Sequence, residues 1–212
     1  MKQGLPLAIT ISRQLGSGGS YIGQQLASKL NMLYLDREII KNAAENLGIL
    51  EEDLEGRDEK LISRWEYILN SLTYAQPEVY TLPEKILPSN KEIFQAEKDI
   101  ILKVASESRV VIIGRGGSHI LRGHTNHVSI FLHANVEFRK KRLQDLYEVS
   151  AQEAEKSIES IDKSRARFIR ELTGSDLYDT RQYHLSIDTG VLGLDGAEHL
   201  ITEYLTARFG NI

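Results

Sequence analysis

The chain has 212 residues, of which 41% are hydrophobic and 26% charged, and its formal net charge is −4. This size predicts one domain, with room for a helical insertion. The negative net charge argues against a surface built to hold nucleic acid. The absence of cysteine excludes disulfides, thiolate metal sites and a cysteine nucleophile. Because no apolar run approaches the roughly 18 residues of a bilayer span, and no signal peptide is recognisable, we expect a cytoplasmic protein without membrane partners.

The first predicted elements form a β-α-β unit. Residues 7–11 are an almost wholly apolar, β-branched run, which predicts a buried strand of a parallel sheet. A glycine-rich loop at 12–19 follows, and a helix is predicted next from apolar residues that recur every four positions: Ile22, Leu26 and Leu30. Residues 32–35 then predict a second strand, which ends at Asp36.

The middle of the chain predicts an insertion at about 37–90. Residues 36–74 have a helical and strongly charged pattern, and 76–90 carry three of the four prolines, as expected of a linker or lid-like loop. The remaining predicted elements are a helix at 91–106, strands at 110–113 and 128–132, a helix rich in Arg and Lys, a long helix at 151–172, a strand at 183–187 and a final amphipathic helix. This alternation predicts a three-layer α/β fold with a mostly parallel sheet.

The loop between the first strand and helix carries the strongest chemical signal. Glycines between a buried strand and a helix let main-chain N–H groups approach a phosphate, which the helix N-terminus also attracts. The P-loop pattern G-x-x-x-x-G-K-[ST] aligns its hydroxyl with Ser20, a candidate magnesium ligand. Arg13 stands at its first glycine, however, and Gly19 at its lysine. A plain turn and a dinucleotide-binding loop remain alternatives, although Tyr21 is bulky for the latter's third glycine.

Several motifs, in order along nearly the whole chain, resemble the cytidylate kinase-like family, a branch of the P-loop nucleoside monophosphate kinases. They are ITISRQLGSGG at 9–19, LDREII at 35–40, IIGRGG at 112–117, the segment 128–142, DKSRAR at 162–167 and TG at 173–174. The resemblance implies transfer of the γ-phosphoryl group of ATP to a nucleoside monophosphate, with Mg²⁺. It also implies a P-loop NTPase-type fold, with a helical acceptor-binding insertion and a basic lid at about 150–175.

The resemblance assigns roles to individual residues. It predicts a binding loop for the ATP phosphates, made of Arg13, Gly16, Ser17, Gly18, Gly19 and Ser20. In this loop Arg13 is expected to supply part of the positive charge that Gly19 lacks; a surface arginine is the alternative. Asp36 and Arg115 are the predicted acceptor-binding residues; alternatively, Asp36 caps a helix and Arg115 pairs with a carboxylate. The predicted catalytic residues of the lid are Asp162, Arg165 and Arg167, although a continuous helix would turn Arg165 away from Lys163, Arg167 and Arg170. A solvated helix face is the alternative for this cluster.

Other features are interpreted as surface. The run Arg139-Lys140-Lys141-Arg142 is interpreted as a solvated helix face, and the histidines at 119, 124, 127 and 133 as scattered solvated residues rather than a zinc site.

The acceptor is left open between CMP, other nucleotides and a non-nucleotide small molecule. Arg37-Glu38 replaces the Ser-Gly that follows the strand-end aspartate in typical cytidylate kinases. A nucleotide sensor without catalysis is the competing class, because the P-loop lysine is missing. We expect small-molecule nucleotide partners; the oligomeric state is not predicted.

Overall fold

The fold is a five-stranded, wholly parallel sheet in the strand order β2-β3-β1-β4-β5. The computed structural model describes residues 6–36, 40 and 91–210. The strands are β1 Ala8–Arg13, β2 Leu33–Leu35, β3 Val110–Ile113, β4 His127–His133 and β5 Leu185–Asp188. The described helices are α1 Gly19–Lys29, α2 Lys91–Glu107, α3 Gly117–Ile120, α4 Val136–Tyr147, α5 Ala151–Thr173 and α6 Thr189–Phe209. A short 3₁₀ turn spans Thr180–Gln182.

Two apolar cores make the fold three-layered. On one face of the sheet, Ile9 and Ile11 of β1 pack with residues of α1 and α6. On the other face, Ala8 and the alternate β3 residues Val110 and Ile112 pack with α2 and the end of α3. Alternate strand residues point to opposite faces, so runs that are apolar throughout suit strands covered on both sides. The predicted three-layer α/β fold is confirmed.

A third apolar cluster joins α4 and α5 to the carboxyl edge of the sheet. Leu143 of α4 packs with three residues of α5, Ala154, Ile158 and Ile161, and with Leu15 in the loop after β1. Helix α5 begins with a capping box between Ser150 and Glu153 and ends at Gly174 in the left-handed conformation. Helix α5 therefore lies against the predicted phosphate loop.

The last strand differs from its prediction. It begins at Leu185, two residues later than predicted, because Tyr183 closes the preceding 3₁₀ turn by donating its N–H to the Thr180 carbonyl. Apart from Ile40, the predicted insertion at 37–90 lies outside the described residues. None of the helices in the described part of the chain combines the length and apolar character that crossing a bilayer requires.

Candidate active site

The loop after β1 has the backbone of an anion-binding turn. Gly16 and Gly18 have positive φ angles of 81° and 84°, a conformation that costs residues with a Cβ energy. Helix α1 begins at Gly19, and its N-cap, Gly18, provides no side-chain cap. The first N–H groups of a helix have no intrahelical acceptor, so those of α1 are available to a ligand.

Leu15 is fixed at both of its main-chain polar groups. Its N–H donates to Asp162 Oδ1 at 2.7 Å, and its carbonyl accepts from Arg139 Nη1 at 3.3 Å. Arg139 also donates to Asp162 Oδ2 at 2.6 Å, and both side chains are buried. The prediction that Arg139 lies on a solvated helix face is therefore wrong, because α4 turns this residue towards α5 and the loop. Asp162 therefore fixes the position of the loop through the Leu15 N–H and Arg139.

Ser17 and Gly18 tie the loop to the segment after β5. Ser17 is fully buried, and its hydroxyl shares its one proton between the carbonyls of Gln14 and Leu132, at 2.9 and 3.1 Å. The Ser17 carbonyl in turn accepts from the Thr189 hydroxyl at 2.9 Å. A Cβ on Gly18 would collide with Leu194. The Ser17 side chain is therefore turned into the protein, so residues 16–19 can present only main-chain groups to a ligand.

Three arginines line one cleft beside the loop, at the carboxyl ends of β1 and β3. Arg13 is the last residue of β1, Arg115 lies in the turn after β3, and Arg165 comes from α5. The other lining residues of the cleft are Ser12, Gly114, Phe168, Ile169 and Leu177. Parallel sheets bind ligands at this edge, and guanidinium donors from three residues suit an anionic ligand.

Arg115 is held by a buried carboxylate and an aromatic ring. Its guanidinium forms an ion pair with Glu97 of α2, and the side chains of Arg115 and Glu97 are 7% and 0% exposed. The same guanidinium lies over the Phe168 ring, 4.9 Å from its centroid. Its backbone has a positive φ of 50°, and its Nε has no hydrogen-bond partner among the described residues. Arg115 thus pairs with a carboxylate and also lines the cleft.

The two arginines of the predicted lid, Arg165 and Arg167, lie on different faces of α5. The Arg165 side chain is 11% exposed and donates to the Arg13 carbonyl at 3.4 Å. The Arg167 side chain is 61% exposed and lies 3.9 Å from Glu171. Because α5 is continuous, residues two apart point in nearly opposite directions. Arg167 does not line the cleft, and its catalytic role stays a prediction.

Ser20 and Asp36 both lie near Tyr34. Burial raises the pKa of Tyr34 to about 12, with a smaller contribution from the Asp36 carboxylate. The Tyr34 hydroxyl lies beside Ser20 and makes no hydrogen bond of good geometry to a described residue. The Asp36 carbonyl accepts from the Ile40 N–H at 3.0 Å, as a helix N-cap does. A hydroxyl and a carboxylate in one neighbourhood fit Mg²⁺, which takes one or two protein oxygens together with phosphates and water.

A family comparison identifies the relatives of this loop and cleft. The model of the cytidylate kinase-like family matches residues 8–191, which include β1, the loop, the three arginines and all of α5. The chain belongs to the cytidylate kinase-like family. A search of curated proteins found no significant match.

Solved structures share the fold of this family member. An uncharacterised protein from Eubacterium ventriosum aligns with a TM-score of 0.72 and 21% identity, over 95% of this chain and 99% of that one. Shikimate kinase from Bacteroides thetaiotaomicron aligns with a TM-score of 0.51 and 15% identity, over 94% and 98%. TT1252 from Thermus thermophilus aligns with a TM-score of 0.52 and 15% identity, over 95% of this chain and 99% of that one. The fold is that of P-loop kinases.

Sequence reasoning missed several residues that shape this site. Glu97 lies on the buried side of α2, where only its helical spacing from Ile101, Val104 and Ala105 could have indicated burial. The sequence near Thr189 and Leu194 did not indicate their role, since their partners lie in a loop about 170 residues earlier.

His127 is buried, 2.8 Å from the Thr10 hydroxyl. Its predicted solvated position is therefore wrong, because β4 begins inside the sheet. The described residues contain no cluster of three or more potential metal ligands.

Proposed function

We propose that this protein is an ATP-dependent phosphotransferase that phosphorylates a nucleoside monophosphate, with CMP as the first candidate. The observation that supports this function is the convergence of Arg13, Arg115 and Arg165 on one cleft beside the N-terminus of α1. Glu97 pairs with Arg115 and Asp162 lies 3.8 Å from Arg165, so carboxylates orient two of these guanidinium groups while all three supply donors to an anion in the cleft. Family membership supports the same reaction class.

The loop is proposed to hold the donor. Main-chain N–H groups at 16–20 bind the ATP phosphates, and the positive end of the α1 dipole favours their charge. In the reaction, an acceptor oxygen forms a bond to the γ-phosphorus while the bond from that phosphorus to the β–γ bridging oxygen breaks. The bridging oxygen leaves with ADP, and the acceptor proton passes to solvent. Such chemistry needs mainly positioning and charge neutralisation.

Ser20 and Asp36 are the residues proposed to hold Mg²⁺. Both supply the hard oxygen ligands that this ion prefers, and both lie near Tyr34. When bound, the ion neutralises phosphate charge.

The acceptor is proposed to bind on the Arg115 side of the cleft. Arg115 can grip an anionic group bidentately, while Phe168, Ile169 and Leu177 offer an apolar wall to the rest of the molecule. Glu97 and Phe168 keep the guanidinium in place before the acceptor arrives. We further propose a single domain over 1–212, with acceptor contacts from the insertion at about 37–90 and a lid at about 150–175.

Two residues of α5 are proposed to act differently. Arg165 lines the cleft and is the proposed catalytic residue, neutralising charge that develops on the transferred group. Asp162 is a positioning residue, because its carboxylate is engaged by the Leu15 N–H and by Arg139.

Two alternatives follow from specific observations. Gly19 replaces the P-loop lysine, which favours a nucleotide sensor if ATP binds without turnover. A shikimate kinase has the same fold, which brings a non-nucleotide acceptor, such as a hydroxylated carboxylate, into consideration.

An acceptor screen tests the proposal. ADP release from ATP–Mg²⁺ is measured with each nucleoside monophosphate and with a panel of small hydroxylated carboxylates and sugars. We expect release with a monophosphate, reduced by about 100-fold or more in Arg165→Met. Arg208→Met is the matched control, since Arg208 is exposed at the far end of α6.

The outcomes separate the three readings. Release with a monophosphate supports the proposal, whereas release with a panel compound alone replaces the acceptor class. ATP binding without release for any acceptor favours the sensor. No ATP binding at all contradicts the proposal.

A further inference from the structure

The Arg13 side chain lies in a space that two glycines leave open. A Cβ built on Gly19 would lie 2.8 Å from Arg13 Cγ, 3.0 Å from its Cβ and 3.3 Å from its Cδ. A Cβ built on Gly114 would collide with Nη1 of the same side chain. The Arg13 stem therefore lies against the first residue of α1, and its guanidinium against the residue after β3. A side chain at either glycine would displace it.

Strand geometry sets this direction. Ile9, Ile11 and Arg13 alternate on β1, and the first two pack in the core beneath α1. Arg13 is still paired with Leu132 of β4, whereas the pairing of β1 with β3 ends at Ile11 and Ile113. Arg13 thus leaves the sheet on the α1 side, next to the end of β3, and enters the cleft.

The P-loop pattern places a lysine one residue before the hydroxyl, and this lysine reaches the β- and γ-phosphates. Here that position is Gly19, and the first atoms of any side chain at 19 would occupy the volume of the Arg13 stem. A long cation at 13 and one at 19 are therefore mutually exclusive. The chain has the cation at 13.

We propose that Arg13 supplies, from the end of β1, the phosphate-binding charge that the P-loop pattern assigns to residue 19. The Arg13 side chain passes between Gly19 and Gly114, and Gly114 also has a φ of 76° that favours glycine. This inference rests on the proposed function, since it names the residue that binds the ATP phosphates. A guanidinium adds a fixed planar fork of donors, which an ammonium lacks.

A charge-swap experiment tests the inference. ATP binding, with and without Mg²⁺, is measured by calorimetry, and acceptor-dependent ADP release is measured beside it. Arg13→Met keeps the aliphatic stem against Gly19 and removes the charge. We expect ATP binding to weaken by about 10- to 100-fold, the range for losing a charge-assisted hydrogen bond. Arg13→Lys recovers part of this loss, and Arg208→Met leaves binding unchanged.

The reciprocal variants test the mutual exclusion. Gly19→Lys alone lowers both the melting temperature and ATP binding, because its Cβ meets the Arg13 stem. Arg13→Ala/Gly19→Lys removes the contacts with Cγ and Cδ, leaves the 3.0 Å approach between the two Cβ atoms, and returns the cation to the P-loop position, so it binds ATP more tightly than Arg13→Ala.

The results that would overturn the inference are distinct from failure of the proposed function. The role of Arg13 is overturned if Arg13→Met binds ATP as tightly as the wild type. It is also overturned if the double variant folds but binds ATP no more tightly than Arg13→Ala. In both cases ATP binding by the wild type still supports the proposed function. If the double variant does not fold, the ATP affinities of Arg13→Met and Arg13→Lys test the inference instead. Equal losses of affinity in the two variants would overturn it, whereas tighter binding by Arg13→Lys than by Arg13→Met would support it. A wild type that binds no ATP overturns the proposed function itself.

Discussion

The Asp162 carboxylate accepts a hydrogen bond from the Leu15 N–H at 2.7 Å, across 147 residues of sequence. It also accepts from Arg139 at 2.6 Å. One buried carboxylate thus connects α4, α5 and the loop that ends β1. Leu15 directly precedes Gly16, the first left-handed residue of the loop. The shape of the candidate phosphate site therefore depends on a contact from the predicted lid helix.

Asp162→Ala is expected to lower the free energy of unfolding by about 3–5 kcal/mol, because it leaves the Arg139 guanidinium buried without its partner. Urea unfolding measures the loss. Glu159→Ala, at an exposed position of the same helix, is the control and is expected to change stability by less than about 0.5 kcal/mol. Similar small losses in both variants would contradict the account of the Asp162 contact.

Gly16→Ala is expected to cost at least about 1–3 kcal/mol of stability and to weaken ATP binding. The residue has a φ of 81°, which strains alanine, and the new Cβ would lie 2.9 Å from the Arg139 carbonyl oxygen. The control is Gly123→Ala, where a Cβ meets nothing within 4 Å. Thermal unfolding with and without ATP separates the two effects. A Gly16→Ala protein as stable as the control would contradict the described loop.

Acid is expected to destabilise the protein through His127. Burial lowers the pKa of His127 to about 3, with smaller contributions from His184, His124 and Arg208. A depressed folded-state pKa gives full stability above the unfolded value of 6.5, and stability falls as pH drops from 6.5 towards 3. The loss approaches about 1.4 kcal/mol per pH unit in this window. Unfolding free energies at pH 7.5, 6 and 5 measure it.

His127→Gln isolates this residue from the other titrating groups. Desolvation also lowers the pKa of His184, so the variant is expected to retain some acid sensitivity. The difference in slope between wild type and variant is the contribution of His127. Parallel pH profiles would contradict a buried neutral histidine.

Glu97 and Arg115 are expected to show strong energetic coupling. Glu97→Ala leaves the Arg115 guanidinium, whose side chain is 7% exposed, without its carboxylate, and is expected to cost about 3–5 kcal/mol. Glu97→Ala/Arg115→Met then costs less than the sum of the single changes, by about 0.5–3 kcal/mol. A double-mutant cycle in urea measures the coupling. Additive losses would argue against a structural pair.

The sheet was the predictable part of this fold. Val110–Ile113 is apolar at every position, and such short runs between helical patterns are typical of strands covered on both faces. The loop at 16–20 was also predictable, because its glycines lie between a strand and a helix. Arg165 and Arg167 were predicted together from a motif, but only the phase of a continuous helix separates them.

The contacts that position the site were less predictable. Arg139 lies in a run of four basic residues, which suggests a solvated face until its partner at Asp162, 23 residues later, is known. The Thr189 hydroxyl reaches the Ser17 carbonyl across 172 residues. Local periodicity cannot indicate such pairs, because they depend on how the helices pack against the sheet and the loop.

The central claim is that the main-chain N–H groups at 16–20 bind the phosphates of a nucleotide. The most direct test is an ATP–Mg²⁺ titration followed by the ¹⁵N–¹H resonances of Gly16, Gly18, Gly19 and Ser20. The account predicts saturable shifts at these amides, with no comparable change at Gly123. Resonances at 16–20 that stay unchanged under saturating ATP would contradict it.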